Sequence, residues 1–276
     1  YGDGNIFLPR LIKTHSYINV AKMKTHMSTS VTLSMKNQKG LLLLKDKKGF
    51  HLGYGENTDL HSCIVRLSQI VKPELAMVDG TRALEGSGPT TAPEGLTNVR
   101  RLDLCVMGKD MIEVDNACCK IMGFDIKSVK HIPEVPVRLS KCSLPLATVK
   151  PPLKKPGNVL KIGNLRLHIS KWMCTGCQMA YSRMIRKIMY SKELSKKFQI
   201  LQKKEPVINM YMGKSCLALI EDARKRTGDK KPRIFFGTCA TQASQDLEGI
   251  HISGCPPDYR KATKKIISLV DSNGEF

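Results

Sequence analysis

Apolar residues at Leu60, Ile64, Leu67, Ile70 and Val71 recur at the spacing of one helical face, which predicts an amphipathic helix over 58–71 capped by Thr58 or Asp59. A second helix is predicted over 110–122, closed by Gly123. Short runs rich in β-branched or apolar residues predict strands at 17–23, 74–78 and 102–107. Residues 28–40 mix hydroxyls with Lys36, Asn37 and Lys39 and read as a loop followed by a short helix. Beyond residue 158 the pattern alternates: strand 161–169, helix 175–189 continuing to about 199, strand 206–212, helix 214–226, strands 233–236 and 250–252, and helix 257–270. Such alternation implies a mainly parallel sheet. The fold class expected is α/β, with two lobes, each a mainly parallel sheet flanked by helices. Residues 133–157 carry Pro133, Pro136, Pro145, Pro151, Pro152 and Pro156 with little periodicity, so they read as a linker between lobes at 1–132 and 158–276. The chain shows no internal repeat.

At 276 residues the chain can bury two cores. It lacks a run of about eighteen apolar residues and a signal-peptide pattern, so neither membrane insertion nor export is expected. It opens on Tyr1, which suggests a missing N-terminal portion. Ten cysteines outside a small secreted frame point to a reducing cytoplasm, and an oxygen-poor cell suits a metal-thiolate site. The net charge of +21 is concentrated: residues 136–233 hold 23 lysines and arginines against 5 acidic residues. A basic lobe attracts nucleic acid, acidic proteins or phosphorylated cofactors. Seven Tyr, seven Phe and one Trp are few and are not interleaved with the basic residues as a stacking surface would require. The charge therefore reads as solvated surface that docks an acidic partner or offsets an anionic cofactor, with nucleic acid the lesser reading.

Four cysteines stand apart from the rest. Cys174 and Cys177 occur in KWMCTGCQMA, Cys239 in GTCA and Cys255 in SGCPP, each set following a strand-like segment. In a parallel sheet, residues just beyond different strands meet in one crevice at the carboxyl edge. Helix N-termini there favour thiolates. Gly176, Gly237 and Gly254 let backbone approach an inorganic cluster, and Pro256 suits the first turn of a following helix. Zinc prefers compact CxxC-like pairs, whereas only one close pair is present, so the spacing favours a 4Fe-4S cluster with zinc as the alternative. Cys63, Cys105 and Cys216 sit in apolar runs and read as buried small hydrophobes. Cys118 and Cys119 are adjacent and point to different helix sides. Cys142 or Cys216 as a fifth thiol stays open. Met173, Met179, Met184 and Met189 read as ordinary core packing.

In the first lobe, Lys24 and His26 follow a strand, Lys36 and Asn37 open a short helix, Asp79 and Glu85 lie in or beside a glycine-rich loop, and Asp115 sits mid-helix. Taken one by one, capped turns and exposed charges explain them. No P-loop or dinucleotide spacing occurs. The stretches NVAKMKTHMSTSVTLSMKNQKG (19–40), VDGTRALEGSGP (78–89) and GKDMIEVDNACCKIMGFD (108–125) together resemble domain-of-unknown-function family 362 over roughly residues 15–132. The resemblance implies association with ferredoxin-like iron–sulfur modules, although the compact cysteine run of ferredoxins is absent. It also marks Lys24, His26, Lys36, Asn37, Asp79, Glu85 and Asp115 as recurrent polar positions and so as the candidate catalytic set. In it, His26 could exchange a proton and Lys24 with Lys36 could hold a carboxylate or phosphate. The turns GTCA and GCPP resemble cluster-binding turns of hydrogenase small subunits and the related quinone-reductase subunit.

The expectation is an iron–sulfur protein that moves electrons or activates a partner reductively within a larger redox complex. It would use a redox protein partner and an anionic small-molecule ligand. Two alternatives remain: a non-redox scaffold whose metal site staples a lobe binding RNA or an acidic protein, and an iron–sulfur hydro-lyase or transferase.

Overall fold

A computed structural model of the chain describes residues 6–52, 60–86, 98–138, 146–156, 159–170, 173, 175–205, 207–213, 216–227 and 233–270. The chain divides into two compact units, Tyr1–Gly157 and Asn158–Phe276.

The first unit contains strands β1 (Ile18–His26), β2 (Ser30–Thr32), β3 (Leu75–Leu84), β4 (Val99–Arg101) and β5 (Cys105–Gly108). Its helices are α1 (Leu11–Thr14), α2 (Ser34–Asn37), α3 (Leu44–Leu52), α4 (Leu60–Ile70) and α5 (Met111–Met122). The sheet runs β2-β1-β3-β4, with β5 also paired to β3. Only β1 and β3 are parallel; β2, β4 and β5 all pair antiparallel. The first sheet is therefore mixed, which corrects the expectation of a mainly parallel one. The reason lies in the connections. Residues 27–29 are too few for a crossover, so β2 folds straight back on β1, whereas the path from β1 to β3 passes through α2, α3 and α4 and allows parallel pairing.

Alternation along β1 turns Asn19, Ala21, Met23 and Thr25 inward, where α2 packs, while α5 packs on β3 and β5. Met23, Leu33, Ile64, Leu67, Val78 and Met122 form the closed centre of this core. Ile18 and Val20, on the other face of β1, and Met107 stay exposed. Helix α5 starts where the Asp110 carboxylate accepts from the amides of Ile112 and Glu113, and ends at Gly123 with φ of 77°. A Cβ at Gly123 would stand 2.6 Å from Pro152, so close packing and left-handed backbone both require glycine there. Pro152 belongs to the stretch expected as a linker, and the described parts of that stretch, 133–138 and 146–156, pack on this unit. Leu153 is 3% exposed, and its amide donates to the Met122 carbonyl at 3.0 Å.

The second unit contains β6 (Val159–Ile162), β7 (Leu165–Ile169), β8 (Ile208–Met212), β9 (Arg233–Phe236) and β10 (Ile250–Ile252). Its helices are α6 (Thr175–Tyr190), α7 (Lys192–Lys204), α8 (Cys216–Thr227), α9 (Thr241–Asp246) and α10 (Tyr259–Ile267). The sheet order is β10-β9-β8-β7-β6. Strands β7 to β10 are parallel, and β6 alone runs antiparallel. Residues expected as one strand at 161–169 thus form a hairpin that turns at Gly163–Asn164, a dipeptide suited to a tight turn. All five residues of β8 are buried, as a central strand covered on both faces requires. No described helix is long and apolar enough to cross a membrane.

Candidate functional site

In the second unit, parallel pairing of β7, β9 and β10 sends the chain into turns at the same edge of the sheet, and hydrogen bonds stitch two of those turns together. The Gly237 amide donates to the Ile252 carbonyl at 2.8 Å and the Thr238 amide to the Gly254 carbonyl at 3.0 Å. In return the Gly254 amide donates to the Thr238 hydroxyl at 3.3 Å. The third segment arrives with α6. Gly237 has φ of 98°, and a Cβ there would lie 3.1 Å from Cys177 Sγ; a Cβ on Gly176 would lie 3.4 Å from Pro256. The segments carrying Cys177, Cys239 and Cys255 are therefore neighbours.

Within this group Cys177 is buried, Cys239 is half-buried and Cys255 is exposed, and all three are thiols, not disulfides. Cys174 lies outside the described residues, as do Cys142 and the side chain of Cys216. Among the described residues no group of three or more His, Cys, Asp or Glu is spaced to hold a metal ion. The donor set nonetheless suits a soft metal or an iron–sulfur cluster: thiols on adjoining turns, with glycine at the point of nearest approach to a sulfur. His251, not singled out from the sequence, places Nε2 3.1 Å from the Gly237 carbonyl. Its place in β10, just before the Cys255 turn, was the available signal.

In the first unit, four of the seven candidate polar residues are engaged in holding the fold. Asp115 is fully buried and accepts from the amides of Ser34 at 2.7 Å and Met35 at 2.9 Å, which caps α2 from a distant part of the chain. Burial pushes its carboxyl up to about 7, outweighing those hydrogen bonds. Asn37 donates to Asn19 Oδ1 at 2.8 Å and to the Val20 carbonyl at 3.0 Å, fastening α2 to β1. Asp79 pairs with Lys22 at 2.7 Å and accepts from Thr81; the Lys22 hydrogen bond is the main reason its carboxyl is held down to about 2. Glu85 lies 3.7 Å from Arg100 and 3.6 Å from the Lys154 ammonium, and accepts from the Lys154 amide at 3.1 Å.

Lys24, His26 and Lys36 remain. His26 is buried at the end of β1 and accepts from the Ser28 amide at 3.1 Å through Nδ1. Lys24 stands opposite Thr32 in the β1–β2 register, and Lys36 Nζ reaches the Thr32 hydroxyl at 3.5 Å. Lys36 is half-buried. Burial first, then the charges of Lys39 and Lys24, drive its pKa well below the usual lysine range. Burial also lowers that of Lys24.

Two histidines border this group. His131 is fully buried, with Nδ1 3.2 Å from His61 Nδ1. Its pKa is pushed down to about 3 by burial, then by His61 and Lys36. Sequence reading noted Lys39 but not as a site residue, and missed His61 and His131. The i, i+3 spacing of Lys36 and Lys39 was a local signal; the histidines join only through tertiary contact. Of the other cysteines, Cys63, Cys118 and Cys119 are buried, but Cys105, expected inside, is exposed on β5 opposite Asp79.

A model of the family described as Domain of unknown function (DUF362) matches residues 5–120. Thylakoid-associated protein sll1697 of Synechocystis sp. is 27% identical over 109 residues, which covers 39% of this chain and 32% of that protein. The chain thus spans about a third of the relative it matches. No solved structure matches.

Proposed function

We propose that the second unit binds a 4Fe-4S cluster through Cys174, Cys177, Cys239 and Cys255 and passes electrons as one component of a larger redox system. The observation that carries this reading is the approach of Gly237 to Cys177 Sγ, where a side chain would stand only 3.1 Å from the sulfur. Glycine at that point leaves room beside a sulfur whose neighbours on two other turns are also cysteine-bearing. Such a cluster, when bound, supplies one-electron chemistry. The residues of the chain would do the rest. Hydrogen bonds from the Thr238 amide to the Gly254 carbonyl and from the Ala240 amide to the Gly237 carbonyl would hold the turn that presents Cys239. Cys177 at the start of α6 benefits from the positive end of that helix. The excess of lysine and arginine in 136–233 would draw in an acidic redox partner and speed its encounter.

Anaerobic purification of the full chain, followed by iron, sulfide and zinc quantification and visible absorption, tests the reading. About four iron and four sulfide per chain are expected, as one cubane requires, with loss or conversion of the cluster in Cys239→Ser. Colourless protein holding one zinc would defeat it, and so would iron content and spectrum unchanged by Cys239→Ser.

A further inference from the structure

We propose that the second unit docks on an anionic lipid bilayer through the outward side of α6, α7 and α10. The three helices form one layer, in which α6 packs on both α7 and α10 and α10 also touches α7. Helical periodicity sorts their side chains. Along α6, Tyr181, Met184 and Ile188 are buried, whereas Met179, Arg183, Lys187 and Tyr190 stand exposed at helical spacing on one stripe. Helix α7 buries Phe198 and Leu201 and exposes Lys192 and Lys196, and α10 buries Ala262 and Ile266 and exposes Lys261 and Lys265.

The charge on this layer is of one sign. Glu193 is the single acidic residue within the three helices, and it pairs with Lys197 at 3.3 Å. Arg183 and Lys187, Lys192 and Lys196, and Lys261 and Lys265 are each spaced by one helical turn, where like charges repel. An ordinary solvated surface intersperses both signs. A fold that gathers repelling cations on one layer is stabilised when a negative surface covers it.

Exposed apolar side chains accompany these cations on α6 and α7. Tyr190 is 75% exposed, and Met179, Met189 and Ile200 are between 41% and 46% exposed. Acyl chains reward aliphatic groups at the headgroup boundary, and a tyrosine there keeps its ring in hydrocarbon and its hydroxyl in water. A nucleic acid is held by cations and stacks on aromatic rings, whereas most of these exposed apolar side chains are aliphatic. An acidic protein presents a pattern of mixed charges; repeated cations with almost no interspersed acid match a plane of uniform charge. Long-range attraction of a redox partner needs no such plane. Docking uses no cysteine and no cluster, so it stands or falls separately from the electron-transfer reading.

Co-sedimentation of the full chain with vesicles tests the inference, using phosphatidylcholine alone and phosphatidylcholine with phosphatidylserine in equal parts. Binding is expected to the mixed vesicles only, and high salt is expected to reverse it. Each cation near such a surface strengthens binding about fivefold, so Arg183→Gln combined with Lys187→Gln should weaken it about tenfold or more. Both positions are exposed and their charges repel, so this variant is expected to keep its fold. Met189→Ser combined with Tyr190→Ser should weaken vesicle binding while leaving the binding of poly(U) and of polyglutamate unchanged, which separates contact with acyl chains from simple attraction to a polyanion. The proposal fails if the chain binds both vesicle compositions alike or neither, or if either double variant binds the mixed vesicles as the parent does. If poly(U) or polyglutamate at equal charge strips the chain from the mixed vesicles, the layer belongs to RNA or to an acidic protein and the proposal is overturned.

Discussion

Replacing His131 with Gln should change how the stability of the first unit depends on pH, and the change can be worked from the burial of one ring. An unfolded chain protonates this histidine near 6.5, whereas the folded unit holds its pKa down to about 3. Between those values the unfolded state carries the extra proton, so stability is lost as pH falls through 6.5 toward 3. At 1.36 kcal/mol per unit the whole window amounts to about 5 kcal/mol, of which about 3 kcal/mol falls between pH 7 and pH 4. Asp115 acts in the opposite direction. Its folded pKa is raised to about 7 from 3.8, so the folded state holds the extra proton and gains about 4 kcal/mol as pH falls across that interval. In the parent the two nearly cancel, which would hide both. His131→Gln exposes the carboxyl alone, so relative to the parent the variant should gain about 3 kcal/mol on going from pH 7 to pH 4. Because the chain has two units, a global melt would mix them. Urea-dependent hydrogen exchange read on peptides from β1 and β3 reports the first unit by itself. If the stability difference between variant and parent is the same at pH 4 and pH 7, His131 does not titrate as argued and the reasoning is refuted.

Two further substitutions probe the packing. Gly237→Ala places a methyl against Cys177 Sγ on a backbone with φ of 98°, and is expected to cost about 1–3 kcal/mol in the second unit and to lower iron retained per chain; unchanged melting and iron content would contradict the close approach. Leu153→Ala removes a buried side chain from the first unit's core and is expected to destabilise that unit by about 2–4 kcal/mol in the same exchange assay, whereas a loose linker would show no effect.

Local pattern carried much of the fold. The helix at 58–71 appeared as α4 and the one at 110–122 as α5, with Gly123 at its end, because side-chain periodicity and cap residues act within a few positions of one another. The strands at 233–236 and 250–252 were legible for the same reason. Strand direction in the first sheet was not, since pairing depends on the path a connection takes and not on the residues of the strand. The hairpin of β6 and β7 was missed because apolar alternation continues through its turn.

For the two units, the sequence alone determined which donor atoms are available: cysteines after strands, glycines at turns, lysines at 24, 36 and 39. Tertiary structure decided which of them meet. Asp115 looks like any mid-helix carboxylate until its oxygens are found on the amides of Ser34 and Met35, about eighty positions away along the chain. His131 looks like an isolated histidine until it lies beside His61 and feels the charge of Lys36. Side-chain chemistry belongs to a residue and can be read one position at a time. Desolvation and the force between charges depend on distances in space, which only the folded chain sets.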